Sequence, residues 1–170
     1  PCTKREVEIY GTKEEGFLVV GHGVCRPEYD HDWVSDPAQT LNWRILSERR
    51  DAMMKALLQE GQPVQYKSTG NSLQPLVFSG DTCFLYPYRK ENTKLQVGDI
   101  VFCQAMERGY FWTHLIWKKG KYYHYGLNRD VYWIGNNKEG KYAKCNGWCF
   151  DEQLFGYLVA PKRGTYKAGE

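Results

Sequence analysis

Ser68-Thr69-Gly70-Asn71-Ser72-Leu73-Gln74-Pro75, followed by Ser79-Gly80-Asp81, separates two runs of strand-forming residues. Val64-Gln65-Tyr66-Lys67 reads as a strand entering this segment, and Thr82-Cys83-Phe84-Leu85-Tyr86 as a strand leaving it. Glycine, asparagine and proline between them make a tight turn, and the serine at position 72 stands on it. A hydroxyl so placed lies beside backbone N–H groups, while Gly70 lets the main chain approach a carbonyl closely, the two demands of acyl transfer. The same composition equally suits an ordinary surface turn, so the rest of the chain has to decide.

Downstream of residue 64 the apolar signal is a series of short aromatic and β-branched runs broken by glycine, asparagine and charged turns. That pattern predicts a mainly β (α+β) protein with a coiled, mostly antiparallel β domain over residues 64–160. Its last strand is Gln153-Leu154-Phe155-Gly156-Tyr157-Leu158-Val159. Upstream, residues 1–63 form an N-terminal extension: two short strands, Val7-Glu8-Ile9-Tyr10 and Phe17-Leu18-Val19-Val20, precede one long helix over about 37–60. Asp36-Pro37 supplies an N-cap and a first-turn proline, and Gly61 and Pro63 stop the helix. Leu41, Ile45, Leu46, Met53, Ala56 and Leu57 mark its apolar face, and Ser47, Glu48, Arg50, Asp51 and Lys55 a solvated one. Residues 161–170, with Lys162, Arg163 and Lys167 among glycines, read as a flexible arm.

Composition excludes several classes. With 23 basic and 20 acidic residues the formal charge is only +3, and the basic residues are scattered, which argues against nucleic acid as a partner. The longest run of large apolar residues, Phe17-Leu18-Val19-Val20, is far short of the roughly 20 needed to span a bilayer, so the chain is expected to be soluble or peripheral. It begins at Pro1, which leaves room for an upstream presequence and an organellar location.

Four segments together resemble the S24/S26 serine peptidases, the group of type I signal peptidases and self-cleaving repressors. Gly70-Asn71-Ser72-Leu73-Gln74-Pro75 with Gly80-Asp81 is similar to the nucleophile box, with leucine where the family has methionine. Leu95-Gln96-Val97-Gly98-Asp99-Ile100-Val101-Phe102 resembles the Gly-Asp-Ile-Val-Val-Phe strand. Phe111-Trp112-Thr113-His114-Leu115-Ile116 resembles the general-base box in its histidine form, and Ile134-Gly135-Asn136-Asn137 the Gly-Asp-Asn-Asn box, with Asn136 where the family has aspartate. The resemblance covers about residues 64–159. It implies that Ser72 attacks a peptide carbonyl, that His114 carries the proton, and that substrate binds as an added strand with the aromatic strand around Trp112 as a wall of the cleft.

Asn136 cannot supply the carboxylate of a Ser-His-acid arrangement; Asp130, Glu139 and Asp151 are near in sequence, and nothing linear assigns any of them to His114. Lys118 and Lys119, at the charged end of the His114 strand, read as solvated. A histidine base predicts reactivity that rises with pH through a midpoint near 6.5.

The remaining candidates carry less. Cys83 and Cys103 lie in apolar strands and read as small buried side chains. Cys145-Asn146-Gly147-Trp148-Cys149 reads as a loop whose two thiols are free or disulfide-linked; zinc ligation with His22, His31 or His124 lacks a second cysteine pair, and neither metal nor cofactor is expected. Two functions of different class remain: a serine endopeptidase acting on a peptide or protein through Ser72 and His114, and a catalytically silent module of the same fold serving as a peripheral subunit of a larger protein complex, organellar or photosynthetic. For the second, Trp33 and Trp148 are the expected contact anchors.

Overall fold

The structure, a computed structural model, describes residues 7–12, 16–21, 37–164 and 166, with side chains described from residue 48 onward except at His124. It divides into two compact units, Pro1–Tyr66 and Lys67–Glu170. His22, His31, Trp33, Cys2 and Cys25 lie outside the described residues.

In the first unit, β1 (Val7–Thr12) and β2 (Gly16–Gly21) pair antiparallel, with Val7 opposite Gly21. The single long helix α1 (Pro37–Gln59) lies against β2, and β3 (Val64–Lys67) adds to β2 in parallel, Phe17 opposite Val64. The helix stops where expected. Gly61 takes φ +90°, its N–H bonds to Leu58 O, and Gln62 N–H bonds to Leu57 O, so the last carbonyls are satisfied by a left-handed cap that favours glycine.

Its buried stripe is rotated from the expected one. Met54 and Leu58, four residues apart, are fully buried, whereas Ala56 is exposed. Asp51, one helical turn before Met54, shares that stripe and is not solvated: it pairs with Arg50 at 3.4 Å, and burial raises its carboxyl pKa. The reading by spacing favours Met53, Ala56 and Leu57, but the helix turns Met54 and Leu58, one position further along, to the interior.

The second unit is an antiparallel sheet in the order β4-β9-β5-β6-β7-β8, formed by β4 (Thr82–Pro87), β5 (Ile100–Gln104), β6 (Phe111–His124), β7 (Leu127–Gly135), β8 (Cys145–Phe150) and β9 (Leu154–Ala160). The protein is thus mainly antiparallel β with one long helix. Two apolar groups form on it. Val101, Cys103, Ile116, Tyr132, Ile134, Cys149 and Leu154 make one buried cluster, with Trp112 against it. Phe102 packs with Phe111 and Phe155 at ring separations of 5.7 and 5.9 Å. Strand β5 is buried along Ile100–Cys103 because consecutive residues point into both groups, the mark of a strand covered on two sides.

Two expectations are revised here. β6 does not end at the Lys118-Lys119 pair but runs on to His124 and turns back through Tyr125-Gly126 into β7; Gly126 has φ +78° and Tyr125 φ +50°, which suits a tight hairpin. The Cys145–Cys149 segment is no loop but edge strand β8, paired with β7. Among the described residues no helix is long and apolar enough to cross a membrane.

Candidate active site

Ser72 is positioned by a loop that is tied at its base and filled from within. Ser68 N–H bonds to Asp81 O and Gly80 N–H to Ser68 O, both at 2.9 Å, so residues 68–81 close on themselves. Leu73, Leu76 and Val77 are buried, and the N–H groups of Leu76 and Val77 bond to Leu73 O, which wraps the chain after Ser72 into one compact turn. Gly70, two residues before the serine, has φ +80°, where any side chain would be strained.

Both Gly-Asp pairs work alike. Gly80 and Gly98 have φ near +90°, and the carboxylates of Asp81 and Asp99 each accept the backbone N–H three residues upstream, from Phe78 at 2.7 Å and Gln96 at 2.8 Å. Each also meets a cation from the segment after β9: Arg163 lies 2.6 Å from Asp81 and Lys162 3.3 Å from Asp99. The Phe78 N–H and then Arg163 hold the Asp81 carboxyl below the usual carboxylate range. Lys162 and Arg163, expected in a flexible arm, therefore tie residues 161–164 to the two turns; Arg163 N–H also bonds to Leu76 O.

The fourth box holds the serine from the other side. Asn137, 1% exposed, donates its N–H to Ser72 O at 2.7 Å and its amide Nδ2 to Gln74 O at 3.1 Å. Gly135 is glycine because the Trp117 ring would lie 2.2 Å from a Cβ, and that ring donates its own N–H to Asn136 O. Asn136 ties the connection between β7 and β8, accepting from Lys144 N–H and donating to Tyr142 O.

His114 comes from the middle of β6. Its Nε2 is 3.0 Å from Ser72 Oγ, and its Nδ1 is 2.6 Å from Asn146 Oδ1. The Trp112 ring, two residues away on the same face, stacks on the imidazole at 5.1 Å. An amide oxygen facing Nδ1 accepts a hydrogen bond, so the proton sits on Nδ1 and the Nε2 lone pair accepts from the serine hydroxyl. The imidazole is 8% exposed; burial, with Lys144 nearby, outweighs the Asn146 hydrogen bond and lowers its pKa to about 4. The histidine is therefore a neutral acceptor at every pH well above 4, and the midpoint of 6.5 expected from the sequence is too high for this site.

Asn146 is the residue that sequence reasoning passed over. The sequence reading of Cys145–Cys149 as a loop assigns it no role, and a strand at 145–150 is the signal that brings it beside β7 and toward His114. None of the three acids near in sequence bonds to His114 among the described residues. Asp130 pairs with Lys121, Asp151 accepts from Tyr88 O–H at 2.8 Å and pairs with Lys90, and Glu139 lines a cavity with Tyr142 and Gln74. The thiols of Cys145 and Cys149 are free, and four residues along one strand set them about 13 Å apart, too far for a disulfide. Cys103 and Cys149 instead meet in the core, where their mutual hydrogen bond and burial push the Cys103 thiol up. Among the described residues no group of three or more His, Cys, Asp or Glu side chains is placed to hold a metal.

Two cavities flank the pair. One, about 500 Å³, is bounded by Pro75, Phe78, Asn137 and Tyr142; the other, about 580 Å³, by Trp112, Trp133, Lys144, Asn146 and Trp148. The Ser72 N–H makes no hydrogen bond among the described residues. Comparison of the chain with family models, curated proteins and solved structures finds no match.

Proposed function

We propose that this chain is an S24/S26-like serine endopeptidase in which Ser72, His114 and Asn146 act as a unit. The observation that carries the reading is the unbroken line from Asn146 Oδ1 through the imidazole to Ser72 Oγ, at 2.6 and 3.0 Å. In the forward step Ser72 Oγ attacks the peptide carbonyl while Nε2 takes its proton; the imidazolium then gives that proton to the leaving amine, and water repeats the sequence on the acyl-enzyme. The Ser72 N–H supports the oxyanion. Asn146 fixes the tautomer as a carboxylate would, but it adds no charge to offset burial, which is what lowers the pKa of His114. Around Trp112 and His114, β6 pairs with β5 alone, because β7 meets it only from Leu115 onward, so this stretch keeps an edge for a substrate strand with the Trp112 ring as a wall.

The test is covalent. A fluorophosphonate should modify Ser72, located by peptide mass spectrometry, and His114→Ala should abolish the adduct while leaving the circular dichroism unchanged. Equal labelling of both proteins would remove the histidine from the mechanism.

One observation favours the silent module. At the β6–β7 hairpin tip Tyr123, Tyr125 and Leu127 are 70%, 91% and 65% exposed, a concentration of apolar surface that suits a contact with another protein. Trp148, expected as an anchor, is half-buried, stacks on Tyr122 and meets Phe150 edge-on, so the hairpin takes its place. On this reading Ser72 stays unlabelled, and Tyr125→Ser releases the protein from its native complex.

A further inference from the structure

The larger cavity is lined by neither Ser72 nor His114, although two residues that contact the imidazole, Trp112 and Asn146, form part of its wall. Its walls are aromatic and its polar groups are mostly donors. Tyr110, Trp112, Trp133 and Trp148 line it together with Arg108 and Lys144. Trp133 and Trp148 face each other across β7 and β8, and both rings are braced: Lys118 Nζ sits 5.1 Å from the Trp133 ring, and Tyr122 stacks on Trp148 at 6.5 Å. A cavity of about 580 Å³ with braced walls is preformed and within the size range of small-molecule sites.

The charge of the lining selects among ligands. Arg108 and Lys144 stand against one acid, Glu107, which leaves an excess positive charge at the site. The Trp112 indole N–H, on a side chain that lines the cavity, is buried without a hydrogen-bond partner. An aromatic cage for an ammonium group would need the opposite balance, because two cations repel it.

We propose that this cavity is a second binding site, for a small aromatic carboxylate whose ring lies among the tryptophans and whose carboxylate meets Arg108 and Lys144. Binding does not require the Ser72 hydroxyl. Asn146 forms part of the wall, so an occupant touches the group that holds His114.

The test uses three probes with one ring: 3-phenylpropionate, 3-phenylpropan-1-ol and 3-phenylpropylamine, titrated calorimetrically against wild type and Ser72→Ala, so that loss of acyl chemistry and loss of this site are told apart. The carboxylate should bind both proteins equally, with Kd below about 1 mM, and the alcohol and amine at least tenfold more weakly. Saturating carboxylate should slow iodoacetamide alkylation of Cys145, an exposed thiol on the same wall, read by site-resolved mass spectrometry. Arg108→Gln, on an exposed turn, should weaken binding roughly fivefold without disturbing the fold, and Lys144→Gln similarly. Equal binding of all three probes, unchanged alkylation of Cys145, or no saturation by about 10 mM carboxylate would overturn the proposal.

Discussion

Asn136 and Asn146 lie ten residues apart on either side of one connection, and they do different work. Asn136 ends β7 and spends both ends of its amide on backbone, holding the path from Tyr142 to Lys144. Asn146, on β8, turns its oxygen to the imidazole. The resemblance read from the sequence points to the first, and the distance to His114 Nδ1 points to the second. An orienting group needs only to reach Nδ1 with an acceptor, and a neighbouring strand can supply it as well as the loop after β7 can.

The sharpest break of this contrast is removal of the base itself. On the peptidase reading His114→Ala should lower the rate of Ser72 modification by about 10⁴-fold, measured by stopped labelling and peptide mass spectrometry. Next comes Asn146→Ala, which frees the imidazole to rotate and to take the other tautomer, with an expected loss of about 10²-fold in labelling. Asn136→Ala should change the labelling rate less than about threefold and should instead lower the melting temperature by a few degrees, since it removes backbone hydrogen bonds rather than a reacting group. Equal kinetic losses from the two asparagine variants would erase the distinction.

Asn146→Asp sharpens it in another way. A carboxylate facing Nδ1 stabilises the imidazolium, so the His114 pKa should rise from about 4 by a unit or more, followed by the NMR titration of its ring protons. An unchanged titration would mean that residue 146 does not face the ring in solution.

The smallest effect expected is on wild-type stability. The folded pKa of about 4 lies below the 6.5 of an exposed histidine, so the unfolded chain binds the proton first as pH falls. The native state should therefore keep its full stability above pH 6.5 and lose up to about 3 kcal/mol between 6.5 and 4, measured by urea unfolding. In His114→Ala that part of the pH dependence should vanish.

Much of this architecture could be read from the chain, and the failures share a cause. Strands were visible where alternation was strong, as around Ser72 and along residues 111–116, and the helix was visible from Asp36-Pro37 to Gly61. The mainly β class followed from those runs. Missed were elements whose identity depends on partners: β8 is rich in glycine, cysteine and asparagine, a poor strand by composition, and it exists because β7 pairs with it. Since Asn146 rides on β8, misreading that strand hid the third member of the site. Ser72 and His114 were legible as residues, but their separation of 3.0 Å depends on Asn137 and the closed base of the loop, long-range bonds that leave no local mark.

The bonds from Arg163 and Lys162 back to the Gly-Asp turns have a consequence in time. Ser72 precedes Asn137, β8 and Arg163 in the chain, so during synthesis its loop exists before the groups that bond to it. A nascent chain that carries the serine but not yet those residues has neither Asn146 beside its histidine nor Arg163 on Asp81. The 3.0 Å approach of Ser72 to His114 therefore becomes fixed only after residues far downstream of the serine have been made.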